Sequence, residues 1–593
     1  MVVSAGSPSG ATGATVPDGR VVRVNGPLIE VAGAVGTAML DVIEVGQAGL
    51  PAEAVSVSAA GRVVAQAYEY TGGVRVGDSA RPLGHPLVGR LGPHLLGGIF
   101  DGLLRPLQSA GAWLTPGAYQ SGEAVSTRWR FRPGAPLGRE LAPGDVVGEV
   151  VGGLERPGSV AHRVLVPPGM SGPLSWLAGE GDVTAVEPVA TVGGAHVAVS
   201  EEWPVRTPRP VRARLGPSMP LITGQRVVDL LFPVAKGSTV AVPGGFGTGK
   251  TVLLQQIVKW CNADVIVFVG CGERGNELAD ALTELADLSD PRTGRSLLER
   301  TVVIANTSNM PVMAREASVY TGMTVAEYYR DMGYDTVLLA DSTSRWAEAL
   351  REFSSRSGEL PAEEGYPASL ASALAAFYER AGRMRTLSGA EGSVTVIGAV
   401  SPPGGDMTEP VTAHTERFVR CLWSLDRDLA YARHYPAIAW RRSFSRDVEA
   451  VASWHGATGR VSWETDRTRA VALLAEADRL TPVVELVGVA SLPANERMTL
   501  LAARLLREGV LQQSALSVND ASCPPERQAA LLDLVLSVLD RCIELVGSGV
   551  PPSVIESADL AAVTRARDEI APDDATGLAR RRDEILHVLS GLA

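Results

Sequence analysis

The segment Gly244-Gly245-Phe246-Gly247-Thr248-Gly249-Lys250-Thr251 restricts this chain more than any other feature. It satisfies G-x-x-x-x-G-K-[ST] at every specified position, and its flanks agree with it. Residues 238–242 before it read as a buried strand and residues 252–260 after it as a helix. A strand, a glycine-rich turn and a helix in that order let backbone N–H groups converge on phosphate oxygens, with the positive end of the helix dipole behind them. Lys250 is then placed to contact the β- and γ-phosphates and the Thr251 hydroxyl to ligate magnesium. Lysine usage marks the same position. Lys236, Lys250 and Lys259 are the only lysines, arginine carrying nearly all other positive charge. A retained lysine fits a site that needs a compact point charge.

A phosphate loop of this kind belongs to a mostly parallel sheet covered by helices, and the chain has that rhythm from about 221 to 440, with apolar strands followed by amphipathic helices. Chemistry in such a sheet gathers at the strand ends. The apolar run 336–340 leads into Asp341, the expected metal-side carboxylate. The run 265–270 leads into Cys271-Gly272-Glu273-Arg274, where Glu273 is the candidate to orient or polarise the attacking water. Arg274 is the candidate to hold phosphate oxygens as charge develops. Taken alone, Gly-Glu-Arg would be an ordinary surface ion pair. Its place one strand–helix unit after the phosphate loop favours function.

The remainder organises around this core as a multidomain α/β chain. Residues 1–18 read as a flexible tail rich in Gly, Ser, Ala and Thr, and 19–95 as an N-terminal β-barrel of short β-rich runs punctuated by Asn25-Gly26-Pro27 and Gly72-Gly73. Residues 96–215 form a linker and an inserted β module with strand-like pieces at 146–151, 162–166 and 183–192. A RecA-like P-loop nucleotide-binding catalytic domain is expected at 216–445. A C-terminal helical domain is expected at 446–593, on helical spacing at 467–480, 495–511, 526–546 and 577–592.

Bulk chemistry excludes several other functions. With 54 basic against 66 acidic side chains the formal charge is -12, which opposes nucleic-acid binding by counterion release, so no nucleic-acid partner is expected. Five cysteines without metal-type spacing read as reduced, buried thiols of a cytoplasmic protein. The histidines are scattered, with no H-E-x-x-H, and no Gly-x-Ser-x-Gly elbow is present. No run approaches the ~20 apolar residues of a membrane-spanning helix, so any membrane role goes through partners.

Four segments together carry a specific resemblance: the phosphate loop, Val269-Gly270-Cys271-Gly272-Glu273-Arg274-Gly275-Asn276-Glu277, Ser308-Asn309-Met310-Pro311 and Asp341-Ser342-Thr343-Ser344-Arg345-Trp346-Ala347-Glu348. The chain resembles the catalytic A subunit (alpha chain) of V/A-type ATPases and ATP synthases. The inserted module resembles the extra segment that sets these subunits apart from the F-type β subunit. The resemblance implies ATP and ADP as substrates, with Mg2+, interconverted with phosphate and coupled to proton or sodium transport. It implies an alternating A3B3 hexamer with a B subunit, central and peripheral stalk subunits, and an ion-translocating membrane sector reached indirectly. The chain would then lie on the cytoplasmic face of the cell membrane. By position, Glu273 would activate water, Arg345 would help hold phosphate, and an arginine of the B subunit would complete the site. Tyr435 matches an aromatic position against adenine; unaided, it reads as core packing.

This sequence departs from the family pattern at Gly245, usually proline, at Leu516, usually phenylalanine on the adenine side, and at Arg441-Arg442, where apolar residues are more usual. Rival readings share the nucleotide core. An F-type β subunit or a secretion ATPase would lack the long insertion, a non-catalytic ring subunit would have lost Lys250 or Glu273, and a hexameric RNA translocase would show basic, aromatic strand faces. A nucleotide-binding scaffold with a slow site is the non-enzymatic alternative.

Overall fold

A computed structural model of the chain describes residues 18–58, 60–108, 117, 127–151, 160–574 and 576–592. All but Asp18 of the expected tail at 1–18 lies outside the described residues, as do 109–116, 118–126 and 152–159 of the expected linker and inserted module. Internal contacts divide the chain into two compact units. One holds the described residues up to Gly216 with Ala263–Val400 and Ala413–Phe418, and the other holds Pro217–Asn262, Ser401–Thr412 and the chain from Val419 onward.

In the first unit, the strands Gly19–Asn25, Leu28–Ala32, Asp41–Val45, Leu50–Val57, Arg62–Ala67 and Ser79–Pro86 close into a six-stranded barrel. Alternate residues fill it, among them Val21, Ile29, Val31, Ile43, Val45, Val63 and Ala65, as period-two patterning requires. Gly26, at φ +58°, turns the first hairpin.

The inserted module is two four-stranded sheets around a core that includes Phe131, Val147, Val164, Leu174, Val189 and Val197. The run 183–192 is not one strand but two, Gly181–Thr184 and Pro188–Val192, in different sheets. The Glu187 carboxylate accepts the Thr184 N–H at 2.9 Å, which ties a turn between them, and Pro188, which has no N–H to give a ladder, opens the second.

The module rests on the helix Val312–Asp331 and the turn after it. Tyr334 donates its hydroxyl to the Ala161 carbonyl at 2.7 Å, and Arg163 lies over the Tyr334 ring. His162 is buried with Nε2 3.2 Å from the Tyr328 hydroxyl. Burial pulls its pKa down to about 3. An imidazole whose folded-state pKa lies below its unfolded value contributes stability that is intact above pH ~6.5 and is lost as pH falls below it. Between pH 7 and 5 this group alone should remove about 2 kcal/mol. The thermal midpoint of wild type is therefore expected to fall over that range, and that of His162→Gln to fall less; parallel slopes would refute the assignment.

The same unit carries a parallel sheet in the order Glu391–Val400, Asp335–Asp341, Val265–Glu273, Thr301–Thr307, Ile99–Phe100. Its central strands are near-continuous apolar runs because both faces are covered. Arg206 joins barrel to sheet layer, pairing with Glu53 at 3.1 Å and with Glu316 of the helix Val312–Asp331 at 2.6 Å.

In the second unit, Thr239–Pro243 runs parallel to Cys421–Leu422, which pairs antiparallel with Phe444–Ser445. Long helices follow at Trp463–Val487, Ala494–Leu506, Pro525–Gly547 and Gly577–Ser590, one in each expected helical stretch; the first and third cover theirs, and the last stops two residues short of 592. The pattern at 495–511 is an α-helix only as far as Leu506. Beyond it the chain widens into a π turn, Arg507–Leu511, where a Cβ on Gly509 would sit 3.3 Å from the Val563 carbonyl oxygen.

Candidate nucleotide site

The phosphate loop lies in the second unit, between the strand Thr239–Pro243 and the helix Lys250–Trp260. Three of its glycines are demanded by geometry. Gly247 and Gly249 have φ of +77° and +84°, and a Cβ on Gly244 would sit 2.8 Å from Leu425 Cβ and from Thr248 Oγ1. Gly245 is different: a Cβ there would meet only the end of Arg427, at 3.5 Å. The loop is braced internally by Thr248, whose hydroxyl donates to the Gly245 carbonyl at 2.8 Å.

Lys250 opens the helix and turns its ammonium back over the loop, donating to the Gly244 carbonyl and to Ser401 Oγ, both at 2.7 Å. Thr251, the next residue, and Phe246 at the loop tip are exposed. Ser401 is a site residue that the sequence reading does not single out. Its signal is present in weak form, at the carboxyl end of an apolar strand and before the turn Pro402-Pro403-Gly404-Gly405.

A cavity of about 360 Å³ lies beside the loop in the same unit. Gly249, Val252, Tyr435, Pro436, Gln512 and Leu516 are among its lining residues. The Tyr435 ring comes against the loop itself, 3.1 Å from where a Cβ of Gly249 would stand. Tyr435 is 40 % exposed and Leu516 97 % exposed, so a flat ligand would find one aromatic wall and an aliphatic rim. The cavity has the size and the mainly apolar character of a base-binding pocket.

The remaining candidates lie in the first unit, at the carboxyl ends of neighbouring parallel strands. Asp341 ends the strand Asp335–Asp341, in register with Gly270. It is buried. Glu273 ends Val265–Glu273, one residue past Gly272, whose φ of +73° bends the chain. A Cβ on Gly272 would stand 2.7 Å from Arg345 Cβ and 3.1 Å from Arg315 Cδ, so the bend needs glycine and draws Arg345 against the strand end. Arg345, on the helix Thr343–Ser357, pairs with Glu348 at 2.9 Å. Burial works against its charge, but Glu348, Glu273 and Glu277 outweigh that and hold its pKa above the usual arginine value. Arg274, the next residue after Glu273, occupies the N-cap position of the helix Gly275–Asp287 without capping it, its side chain 73 % exposed and paired to Glu277 at 3.6 Å.

Among the described residues, no group of three or more His, Cys, Asp or Glu side chains is gathered as for a metal ion. The oxygen donors expected for magnesium, the Thr251 hydroxyl and the Asp341 carboxylate, are hard ligands of the kind that ion takes one or two at a time, with substrate phosphates and water filling its shell. No helix among the described residues is long and apolar enough to cross a membrane.

Comparison with known proteins agrees with the architecture domain by domain. The model of the ATP synthase alpha/beta family nucleotide-binding domain matches residues 224–445, and that of the family's beta-barrel domain matches 21–84. The alpha/beta subunit barrel-sandwich domain matches 124–206, and the C-terminal domain of V and A type ATP synthase matches 452–546. A V-type ATP synthase alpha chain from Nitrosococcus oceani is 49 % identical over 93 % of both chains. The corresponding A-type ATP synthase chain from Methanopyrus kandleri is 47 % identical over 91 % of this chain and 93 % of its own. A V-type alpha chain from Anaeromyxobacter sp. strain K is 49 % identical over 90 % and 92 %. Among solved structures, the ATPase EscN of the enteropathogenic E. coli type III secretion system superposes with a TM-score of 0.62, covering 87 % of this chain and all of its own at 22 % identity, which is a likeness of fold. The match to these relatives over 90 % or more of this chain, with the barrel-sandwich insertion and the V/A-type C-terminal domain both present, places this chain in the alpha-chain family of V/A-type ATP synthases.

Proposed function

We propose that this chain is the catalytic subunit of a rotary V/A-type ATPase or ATP synthase, interconverting ATP and water with ADP and phosphate. The observation that carries the reading is the Lys250 ammonium held 2.7 Å from the Gly244 carbonyl and from Ser401 over an intact glycine loop, with a base-sized cavity beside it in the same unit. In this reading Lys250 and the loop N–H groups hold the phosphates and Tyr435 packs on adenine. Glu273 polarises the attacking water, and Arg345 and Arg274 balance charge on the transferring group. Thr251 and Asp341 are the protein's ligands to magnesium, which neutralises phosphate charge when bound.

Membership of the family implies a complex with other subunits. The finer arrangement is part of the proposal: a hexamer alternating with a B subunit that supplies an arginine in trans, central and peripheral stalks, and an ion-translocating membrane sector with this chain on its cytoplasmic side. The presence of both Lys250 and Glu273 favours a catalytic over a non-catalytic ring subunit.

The test is ATP hydrolysis by the complex reconstituted with its partner subunits. Turnover is expected to stop on chelation with EDTA and to return on adding magnesium. Nucleotide binding without turnover under any magnesium concentration would establish the scaffold instead.

A further inference from the structure

Residues 512–516 border the base-sized cavity and include no helix or strand. Backbone groups in such a stretch need partners outside the regular ladders. One carboxylate and two guanidiniums supply them. Asp520 is fully buried; its Oδ1 lies 2.6 Å from Arg226 and its Oδ2 2.8 Å from Arg567. The same Oδ2 accepts the Ser514 N–H at 2.7 Å. Arg226, itself fully buried, donates to the carbonyls of Val510 and Gln512, and Arg567 donates to the Gln512 carbonyl at 2.8 Å.

Gln513 is fixed as firmly. Its side-chain oxygen accepts the Arg226 N–H at 2.9 Å and its side-chain amide donates to the Gly224 carbonyl at 2.8 Å. Its backbone N–H donates to the Tyr435 carbonyl at 2.8 Å, which joins the irregular arm to the cavity's aromatic residue. Asp520 itself is not among the lining residues, so whatever it does for a ligand passes through the arm. Without its negative charge, the buried Arg226 guanidinium and the part-buried one of Arg567, which itself borders the cavity, would face each other across the place it holds.

We infer that Asp520 is a positioning residue: with Arg226 and Arg567 it sets the conformation of residues 512–516, so that recognition of the nucleotide's base and ribose depends on it and recognition of the phosphates does not. The inference rests on the nucleotide reading above and extends it to a side chain that never meets the ligand.

The test compares wild type with Asp520→Asn, with Arg567→Gln, which leaves the Asp520–Arg226 pair in place, and with the double variant, all in the reconstituted complex. Magnesium ATP is the substrate and magnesium tripolyphosphate, which carries phosphates without a base, is the competing ligand. Each single variant is expected to raise KM for ATP about tenfold, equivalent to about 1.4 kcal/mol, with kcat and the tripolyphosphate inhibition constant within about twofold. The double variant should cost little more than the worse single one, because both act through one arm. Equal losses for ATP and tripolyphosphate, or an unchanged KM in the variants that assemble, would overturn the inference. Should Asp520→Asn fail to assemble, Asp520→Glu, which keeps the charge but displaces both carboxylate oxygens, decides by the same split, since Arg567 itself borders the cavity. A wild-type complex that neither hydrolyses ATP nor binds tripolyphosphate would remove the nucleotide reading itself, and the inference with it.

Discussion

Lys250→Ala is expected to reduce ATP turnover of the reconstituted complex by about 10³-fold and to weaken nucleotide binding as well. The lysine opens its helix with the ammonium folded back to the Gly244 carbonyl and Ser401 Oγ, each at 2.7 Å, over the glycine loop. Hydrogen bonds to a charged group are worth about 1.5–3 kcal/mol each, which puts the loss of affinity at about 10- to 100-fold if one such bond to phosphate disappears. The larger loss of rate follows because charge on the transferring group grows toward the transition state. Lys250→Arg should restore little. A planar guanidinium cannot take the place of a compact ammonium between two oxygens 2.7 Å away. Turnover and equilibrium ATP binding, measured on the same assembled complexes, check both halves. Near-normal turnover in Lys250→Ala would displace this loop from the chemistry.

The phosphate loop was legible because its requirements are local. Positive φ at Gly247 and Gly249 and the close approach at Gly244 are conditions that one residue type meets, so the motif and the geometry are nearly the same statement. Gly245 shows the limit of that reasoning. The space around it is open and nothing nearby compels glycine. The strands ending at Asp341 and Glu273 were legible for a related reason, since a strand buried on both faces must be apolar throughout and ends visibly at its first charge.

Other features depended on partners far away in sequence. Ser401 meets Lys250 across 151 positions, and the Asp520 network joins residues 226, 520 and 567. No periodicity or spacing within a short window carries such pairs. The break at 185–187 escaped the pattern for the opposite reason: a single Glu side chain turning back to the Thr184 N–H overrode a run of strand-forming residues. Tyr435 reads as core packing by composition alone, and only the family resemblance sets it against adenine. Its 40 % exposure and its approach to Gly249 are what a ligand-facing ring requires.

Glu273→Gln separates binding from chemistry. The substitution keeps the side chain's shape and its hydrogen-bonding reach, and removes only the negative charge and the capacity to draw a proton from water. Glu273 stands at a strand end behind Gly272, whose positive φ no other residue adopts easily and whose missing Cβ gives Arg345 its place. The Glu273 carboxylate helps sustain the raised pKa of Arg345. General-base assistance contributes about 10²- to 10⁴-fold, so turnover in the assembled complex should fall by about 10³-fold at saturating ATP. Nucleotide affinity should stay within about threefold, since an amide oxygen beside Arg345 still accepts hydrogen bonds. The decisive comparison is made at matched nucleotide occupancy, with Lys250→Ala alongside. If Glu273→Gln loses binding in parallel with turnover, Glu273 acts through the fold of the strand end. If it keeps both, the water is oriented by another group, and the catalytic assignment at this position falls while the phosphate loop stands.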